Sequence, residues 1–406
     1  MTGDNSSSTH PPLPPTTEDD RFSALRLLRS RRVGISTYYR LLSEHGSAGK
    51  ALAALPRLAR DAGISDYAVC PEGVIAAEMK AGKAAHARLI FRGEADYPVA
   101  LADLADAPPM LWAVGKTDLF HRRIVAIVGA RSASSLGMRM ARRMAAELAE
   151  EGIVVVSGLA RGIDAEAHRE TLKTGTIAVM AGGVDHIYPQ ENAALTHDIG
   201  HFGLRLSERP MGLQPQARHF PVRNRLIAGL ARAVVVIEAA AKSGSVITAE
   251  AALSIGRDVL AVPGHPFDAR SGGCNHLIRD GAVLVRSAAD VIEVLNAQPQ
   301  EIAAKAPPAP EPVLPRPTRS LRETAELHRQ ILARLGPSPL AEDQLIRDIA
   351  APAAAVSPIL LDLELSGRIH RQPGGLLARV DQGGAAKTRR LQPHPTANQR
   401  LARSVD

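Results

Sequence analysis

A doubly wound, mostly parallel α/β sheet, with a small helical block before it and a second compact block after it, is the fold class this sequence predicts. Three observations predict it. Between residues 120 and 296, short apolar segments alternate with helix-length amphipathic ones. Several of the apolar segments are continuous runs, as strands are when helices cover both sheet faces. Four of them run straight into glycine-bearing turns, the place where open α/β sheets present backbone to ligands.

The 406 residues suit two or three domains, and 45% hydrophobic with 22% charged residues is ordinary for globular chains. Aromatics at 3% rule out a base-stacking surface made of many rings. No apolar run reaches membrane-span length, and the N-terminus lacks the basic-then-apolar order of a secretory signal. Cys70 and Cys274 form no CxxC, which excludes a disulfide scaffold or zinc cluster and suits a reducing, cytoplasmic setting. Arg supplies 41 of the 49 basic residues, and net charge is +7. Residues 201–232 concentrate it, with six Arg against Glu208 alone. A local basic patch is the usual footprint of a phosphate-bearing partner.

Residues 1–20 are rich in Ser, Thr and Pro and read as disordered. Residues 21–119 open with helical spacing at Phe22, Leu25 and Leu28. Ser36 then reads as an N-cap before a helix carrying Tyr39 and Leu42; Gly46 ends it, and Ser47 caps the next, with Leu52 and Leu55. Short helices joined by Gly turns suggest a helix-hairpin-helix type domain with a lead-in to the sheet. Strands are expected at Ile124–Val128, Ile153–Val156, Thr176–Met180, Gly203–Leu206, Ala233–Ile237, Asp258–Ala261 and Ala282–Val285. Helices between them include Met138–Glu151, Asp164–Thr174 and Ala249–Ile255. Residues 297–318 read as a Pro/Ala linker and 382–406 as a disordered basic tail. Residues 319–381 read as three helices (Thr324–Arg334, Leu340–Ile349, Val356–Ser366) and a hairpin turning at Pro373-Gly374-Gly375, the pattern of a winged helix. Its third helix has no basic residue, which argues against groove reading and favours packing or a protein partner.

The turns carry the chemistry. The first strand meets Gly129-Ala130-Arg131-Ser132, a close-approach glycine ahead of a helix N-terminus. It is not GxGxxG, and the next strand ends in Ser157-Gly158 rather than an acid, so a nicotinamide dinucleotide is disfavoured. Ser157, Gly158 and Arg161 make a second anion-favouring turn, where Asp164 reads first as a helix cap. The fifth strand meets Lys242-Ser243-Gly244-Ser245, a phosphate cradle without Walker spacing. Ahead of that strand, Arg218, Phe220, Arg223, Asn224 and Arg225 cluster; Phe220 is either core or a platform for one base. Arg223 and Arg225 cannot share a helix face. No GxSxG or HExxH occurs, and His168, His186, His265 and His276 are scattered. Glu250 reads as a helix-face residue.

The runs IVGARSASSLG, VVSGLARGIDAEAH, AGGVDHIYPQEN, FPVRNRLIAGL, KSGSVITAEAAL and VPGHPFDARSGGCNHLIRDGA occur in order over 125–282. Together they closely resemble the DNA-processing family DprA, also called Smf. The resemblance implies a Rossmann-like core that binds single-stranded DNA, often as a homodimer, and helps load a RecA-type recombinase during transformation. It implies a non-enzymatic protein with no cofactor, catalytic residue or metal. Carried over by motif, Arg131 matches the Gly-Ser/Thr-Arg arginine, although Ala130 replaces the usual hydroxyl. Phe220, Arg223 and Asn224 match Phe-x-x-Arg-Asn, and Lys242, Ser243, Gly244 and Ser245 match Lys-Ser-Gly-Ser, with Arg218 as the basic residue before the Phe. The competing reading is a phosphoribohydrolase-type enzyme, which Thr248-Ala249-Glu250 loosely echoes.

Overall fold

The computed structural model describes residues 14–298, 321–336, 340–349, 356, 360, 363, 368–372 and 376–379. These fall into two compact units, 1–300 and 301–406. The tail expected at 382–406 and most of the expected linker lie outside the described residues.

The first unit begins with α1 (Glu18–Arg29), so the disorder expected through residue 20 is corrected. A capping box starts this helix: Asp20 N–H donates to Thr17 Oγ1 at 3.1 Å, and the Asp20 carboxylate answers to the Thr17 backbone. Helix α2 (Ile35–His45) starts at Gly34, not at the expected Ser36 cap, and Gly46 ends it at φ 75°. Its buried face is Tyr38 and Leu41, while the expected Tyr39 and Leu42 are half-buried beside it. Ser47 caps α3 (Ala48–Asp61), accepting from Lys50 N–H at 3.3 Å. Helix α4 (Glu72–Ala84) carries buried Glu78.

Residues 88–119, expected as a lead-in, are part of the sheet. Strand β1 (Arg88–Phe91), a short α5 (Val99–Ala102) and β2 (Met110–Gly115) begin it. Trp112 on β2 donates its indole N–H to Glu78 at 2.9 Å, and Arg29 grips the same carboxylate at 2.8 and 2.9 Å. This buried, fully paired cluster ties the helical block to the sheet.

The chain then continues β3 (Ile124–Val128), α6 (Ser135–Glu150), β4 (Val154–Ser157), α7 (Ile163–Thr171), β5 (Thr176–Val179), α8 (Ala193–Phe202), β6 (Leu204–Ser207), α9 (His219–Leu230), β7 (Ala233–Val236), α10 (Gly244–Ser254), β8 (Asp258–Ala261), α11 (Gly272–Arg279), β9 (Val283–Leu284) and α12 (Ala288–Ala297). All seven expected strands are present, two at the expected bounds and five shifted by one residue at one or both ends. The nine strands order as β1-β2-β6-β5-β4-β3-β7-β8-β9. Only the β1–β2 and β2–β6 pairs are antiparallel. Strand β3 lies between β4 and β7, so the order reverses there, at the switch point where such sheets receive ligands.

Both faces of the sheet are covered. Val125 and Ile127 pack with Met144 and Leu148 of α6, while Ala126 and Val128 pack with Leu226 of α9 and Ala249 of α10. The continuous apolar runs are the direct consequence.

In the second unit, α13 (Leu321–Arg334), β10 (Leu340–Ala341), α14 (Glu342–Ile349), β11 (Ile369–Gln372) and β12 (Leu376–Arg379) form a small winged-helix body. Its three strands order as β10-β12-β11. Residues 340 and 341, expected to open a helix, are a strand, because they pair with Leu377 and Leu376 across the wing. Of the expected third helix only Val356, Leu360 and Leu363 are described; all are buried, at helical spacing.

Candidate nucleic-acid interface

The turns leaving β3, β4 and β7 meet at the carboxyl edge of the sheet, with the first turn of α9 above them. The switch-point rule predicts this convergence. Two clefts open there. One, of about 320 Å³, is lined by Gly158, Ala160, Arg161, His186, Tyr188 and Gln190 among others. The second, of about 540 Å³, is lined by Gly129, Ser132, Asn224, Ser243, Gly244 and Ser245 among others. Arg131, Ala160, Phe220 and Arg223 line both and form the wall between them.

Phe220 is half-buried at the start of α9. The Arg131 guanidinium lies 5.1 Å from its ring centre and that of Arg223 at 5.9 Å. Arg131 is exposed and pairs with no carboxylate among the described residues, so the ring holds a free cation at the mouth of both clefts. Tyr188, 44% exposed, stands 5.6 Å from Phe220, tilted by 51°. Sequence reasoning allowed one ring here; the structure supplies two. The available signal was the aromatic beside Pro189 after the third-strand glycines.

Arg223 is only 6% exposed. Its guanidinium donates to Gly158 O at 2.8 Å and to Val179 O. Burial lowers its pKa to about 10, with the Asp164 carboxylate opposing that shift, so it stays cationic at neutral pH. Arg223 is thus the floor of the site. A Cβ on Gly158 would sit 2.6 Å from that guanidinium, which is why glycine stands there. Arg225 points elsewhere, to Asp106 at 3.3 Å and to Glu208, and is structural.

Asp164 does not cap α7. Its Oδ2 reaches back to accept from Gly158 N–H at 3.1 Å and Ala160 N–H at 3.4 Å. Burial raises its pKa against the opposing pull of Arg223 and these N–H groups. Ser157 is corrected as a ligand contact: its hydroxyl is fully buried and donates to Ile127 O at 2.6 Å. Gly129 is buried too, and a Cβ there would overlap Ile163 of α7. It packs a helix and accepts Ser245 Oγ at 2.9 Å through its carbonyl. Asn224 bridges, donating to Gly244 O at 3.2 Å while accepting from Arg223. Arg161 and Arg218 are exposed; the first lies 3.5 Å from Glu191, the second 3.5 Å from the His219 ring.

The N-termini of the helices that follow β3, β4 and β7 differ. The N-terminus of α6 is filled: the buried Glu238 carboxylate accepts from Ser134 N–H at 2.9 Å and from the Ser134 hydroxyl. A Cβ on Gly137 would lie 2.6 Å from one of its oxygens. The α7 turn is filled by Asp164. The α10 N-terminus is open. Its N-cap Ser243 makes no capping bond, and the Ser243 hydroxyl is buried without a partner. No described side chain accepts from Gly244 or Ser245 N–H, and Lys242 beside them is exposed and unpaired. The helix dipole and the free Gly244 and Ser245 N–H groups favour an anion there, and Lys242 stands next to them in sequence. Glu238 was missed by sequence reasoning, although an acid directly after an apolar strand marks a strand end.

Fold and edge together define a Rossmann-like protein equipped to receive an anionic, ring-bearing ligand. Comparison with known proteins agrees over three stretches of the chain. Residues 88–296 match the DNA recombination-mediator protein A family, residues 18–81 the DprA-like N-terminal HHH domain, and residues 315–375 the DprA winged helix domain. DNA processing protein DprA of Streptococcus pneumoniae is 48% identical over 198 residues, covering 48% of this chain and 70% of its own. Protein Smf of Synechocystis is 37% identical over 310 residues, 69% of this chain and 77% of its own. The X-ray structure of the Streptococcus pneumoniae DprA superposes with a TM-score of 0.57 at 35% identity, covering 68% of this chain and 98% of that one. The chain belongs to the DprA (Smf) family. Among the described residues no helix is long and apolar enough to cross a membrane.

Proposed function

We propose that the protein binds single-stranded DNA along the carboxyl edge of its sheet, without catalysing a reaction on it. The observation that carries this reading is the open α10 N-terminus with unpaired Lys242, next to unpaired Arg131 resting on Phe220. Phosphates would lie on Lys242, Arg131 and the Gly244 and Ser245 N–H groups. Bases would enter beside Phe220 and Tyr188, whose π-faces accept any base. At about 320 and 540 Å³ the clefts have room for single bases rather than for a duplex. The family's DNA-processing members support the same ligand class.

The test is a salt series on oligo-dT. Removing both Arg131 and Lys242 as Ala should weaken binding about ten- to a hundredfold and flatten the logarithmic salt slope by about 1.4, at about 0.7 per lost phosphate contact. Unchanged affinity in that double variant would remove the site. The enzymatic alternative needs Thr248 and Glu250 to converge on a nucleotide. Thr248 is buried and donates to Gly244 O at 3.2 Å, while Glu250 is exposed and lines neither cleft. Release of free base from nucleoside monophosphates, lost in Glu250→Gln, would reverse this assignment. The reading extends to a homodimer that protects incoming strands and helps load a RecA-type recombinase. Sedimentation, and strand exchange with purified recombinase, test those parts.

A further inference from the structure

A fourth turn lies on the same edge and belongs to neither cleft's machinery. Strand β8 neighbours β7, and residues 263–271 leave its carboxyl end. The turn borders the second cleft through Arg270. It runs into α11, which is anchored to the β7 turn by the Gly273 N–H donating to Ala239 O at 2.7 Å. It is also anchored to α11, where Asn275 exchanges hydrogen bonds with the Gly264 backbone at 3.1 and 2.9 Å.

The turn holds several internal hydrogen bonds. Asp268 accepts from the Arg270 backbone at 2.9 Å and from its guanidinium twice at 3.0 Å. Asp268 N–H reaches His265 O at 2.9 Å, and Ser271 N–H reaches Asp268 O at 2.9 Å. On this hydrogen-bonded turn Phe267 is 95% exposed, with the His265 ring 5.5 Å away, tilted by 41°.

Each property narrows the occupant. A phenyl ring offers no hydrogen bond, so it does not recognise phosphate or sugar. It recognises a π-face or an apolar side chain. Its chain neighbours His265, Pro266, Asp268 and Arg270 do not supply the contiguous apolar surface that a protein hot spot needs. Asp268 neutralises Arg270, so the turn contributes no free cation. Its bonded backbone has little freedom left to lose on binding.

We propose that Phe267, backed by His265, is a second base-stacking platform, engaged by a strand that runs from Phe220 past Lys242 to the β8 turn. From the β3 turn, where Arg131 meets Phe220, the sheet order runs β3, β7, β8, two strand spacings or about 10 Å along the edge. The proposal rests on the single-strand reading above, and its test separates the two. Fluorescence anisotropy is measured with dT oligomers from about four to about sixteen nucleotides. Phe267→Ala should match wild type on the shortest oligomers that bind and weaken the longest roughly fivefold to tenfold, at unchanged salt slope. Phe220→Ala should weaken every length. Phe202→Ala, an exposed ring on α8 at the amino-terminal end of β6, should change nothing. In Phe267→Trp, the new indole should be quenched by long oligomers, against the constant emission of buried Trp112, the chain's single native tryptophan. If wild type binds, yet Phe267→Ala matches it at every length and the Trp is not quenched, the platform is refuted and the ring is left for a protein partner. If wild type binds no oligomer, the single-strand reading and this proposal fall together.

Discussion

Helices α6 and α10 both follow central parallel strands and both aim an N-terminus at the same edge, yet one is closed and the other open. At α6 the carboxylate of Glu238 occupies the anion position, held by Ser134. At α10 the Ser243 hydroxyl and the Gly244 and Ser245 N–H groups have no side-chain partner among the described residues, with Lys242 alongside. The α7 turn resembles α6, with Asp164 as the internal acid over cationic Arg223. The difference teaches that a glycine turn before a helix is a ligand site only where the protein has not supplied its own anion. Closed turns should therefore govern stability, and the open turn should govern binding.

That division can be broken experimentally. The largest effect belongs to Arg223→Ala, which leaves Asp164 buried without its cation and orphans Gly158 O. Unfolding stability should fall by about 2–6 kcal/mol in urea melts, because the half-buried Gly158 and buried Val179 carbonyls both lose their donor. A loss below 1 kcal/mol would mean that Arg223 is not the floor of the site. Next comes Glu238→Ala, expected to cost about 1–3 kcal/mol by orphaning Ser134 N–H. It should also open the α6 terminus, so that sulfate raises the melting temperature of this variant more than that of wild type. Lys242→Ala should leave stability within about 0.5 kcal/mol, as exposed substitutions do. Its effect should appear only as a salt slope flatter by about 0.7 on oligo-dT. A destabilised Lys242→Ala would erase the contrast between the two termini. The smallest effect is Ser243→Ala. An N-cap serine commonly contributes about 0.5–2 kcal/mol, but this hydroxyl makes no capping bond. Its loss should fall under that range in thermal melts, with a measurable drop in DNA affinity.

Much of the fold was legible because its signals are local. Strands β3 to β9 showed as apolar runs, and the turns showed as glycines. Strands β1 and β2 did not, because β1 pairs only with β2, and the place of β2 is set by antiparallel pairing with β6, some ninety residues further along the sequence. The start of α1 was obscured by the polar composition of residues 1–20, although Thr17 and Asp20 have capping-box spacing. In the candidate site, Arg131, Phe220, Lys242 and Ser243 were readable as residue types in the right turns. The roles of Ser157 and Gly129 were not, because spacing does not reveal whether a hydroxyl faces a ligand or a neighbouring carbonyl. Tyr188 and Phe267 escaped notice because a ring's exposure depends on what packs around it.

The sequence by itself determined the sheet, the glycine turns, the concentration of arginine over 201–232 and the family, since each is written in periodicity or contiguous motifs. Only the tertiary structure decided which turn is open. Glu238 lies 104 residues from Ser134 along the chain and reaches it because β7 pairs directly with β3. An anion site is a matter of what occupies a few cubic ångströms at a helix end, and that occupancy is set by strand order rather than by local spacing.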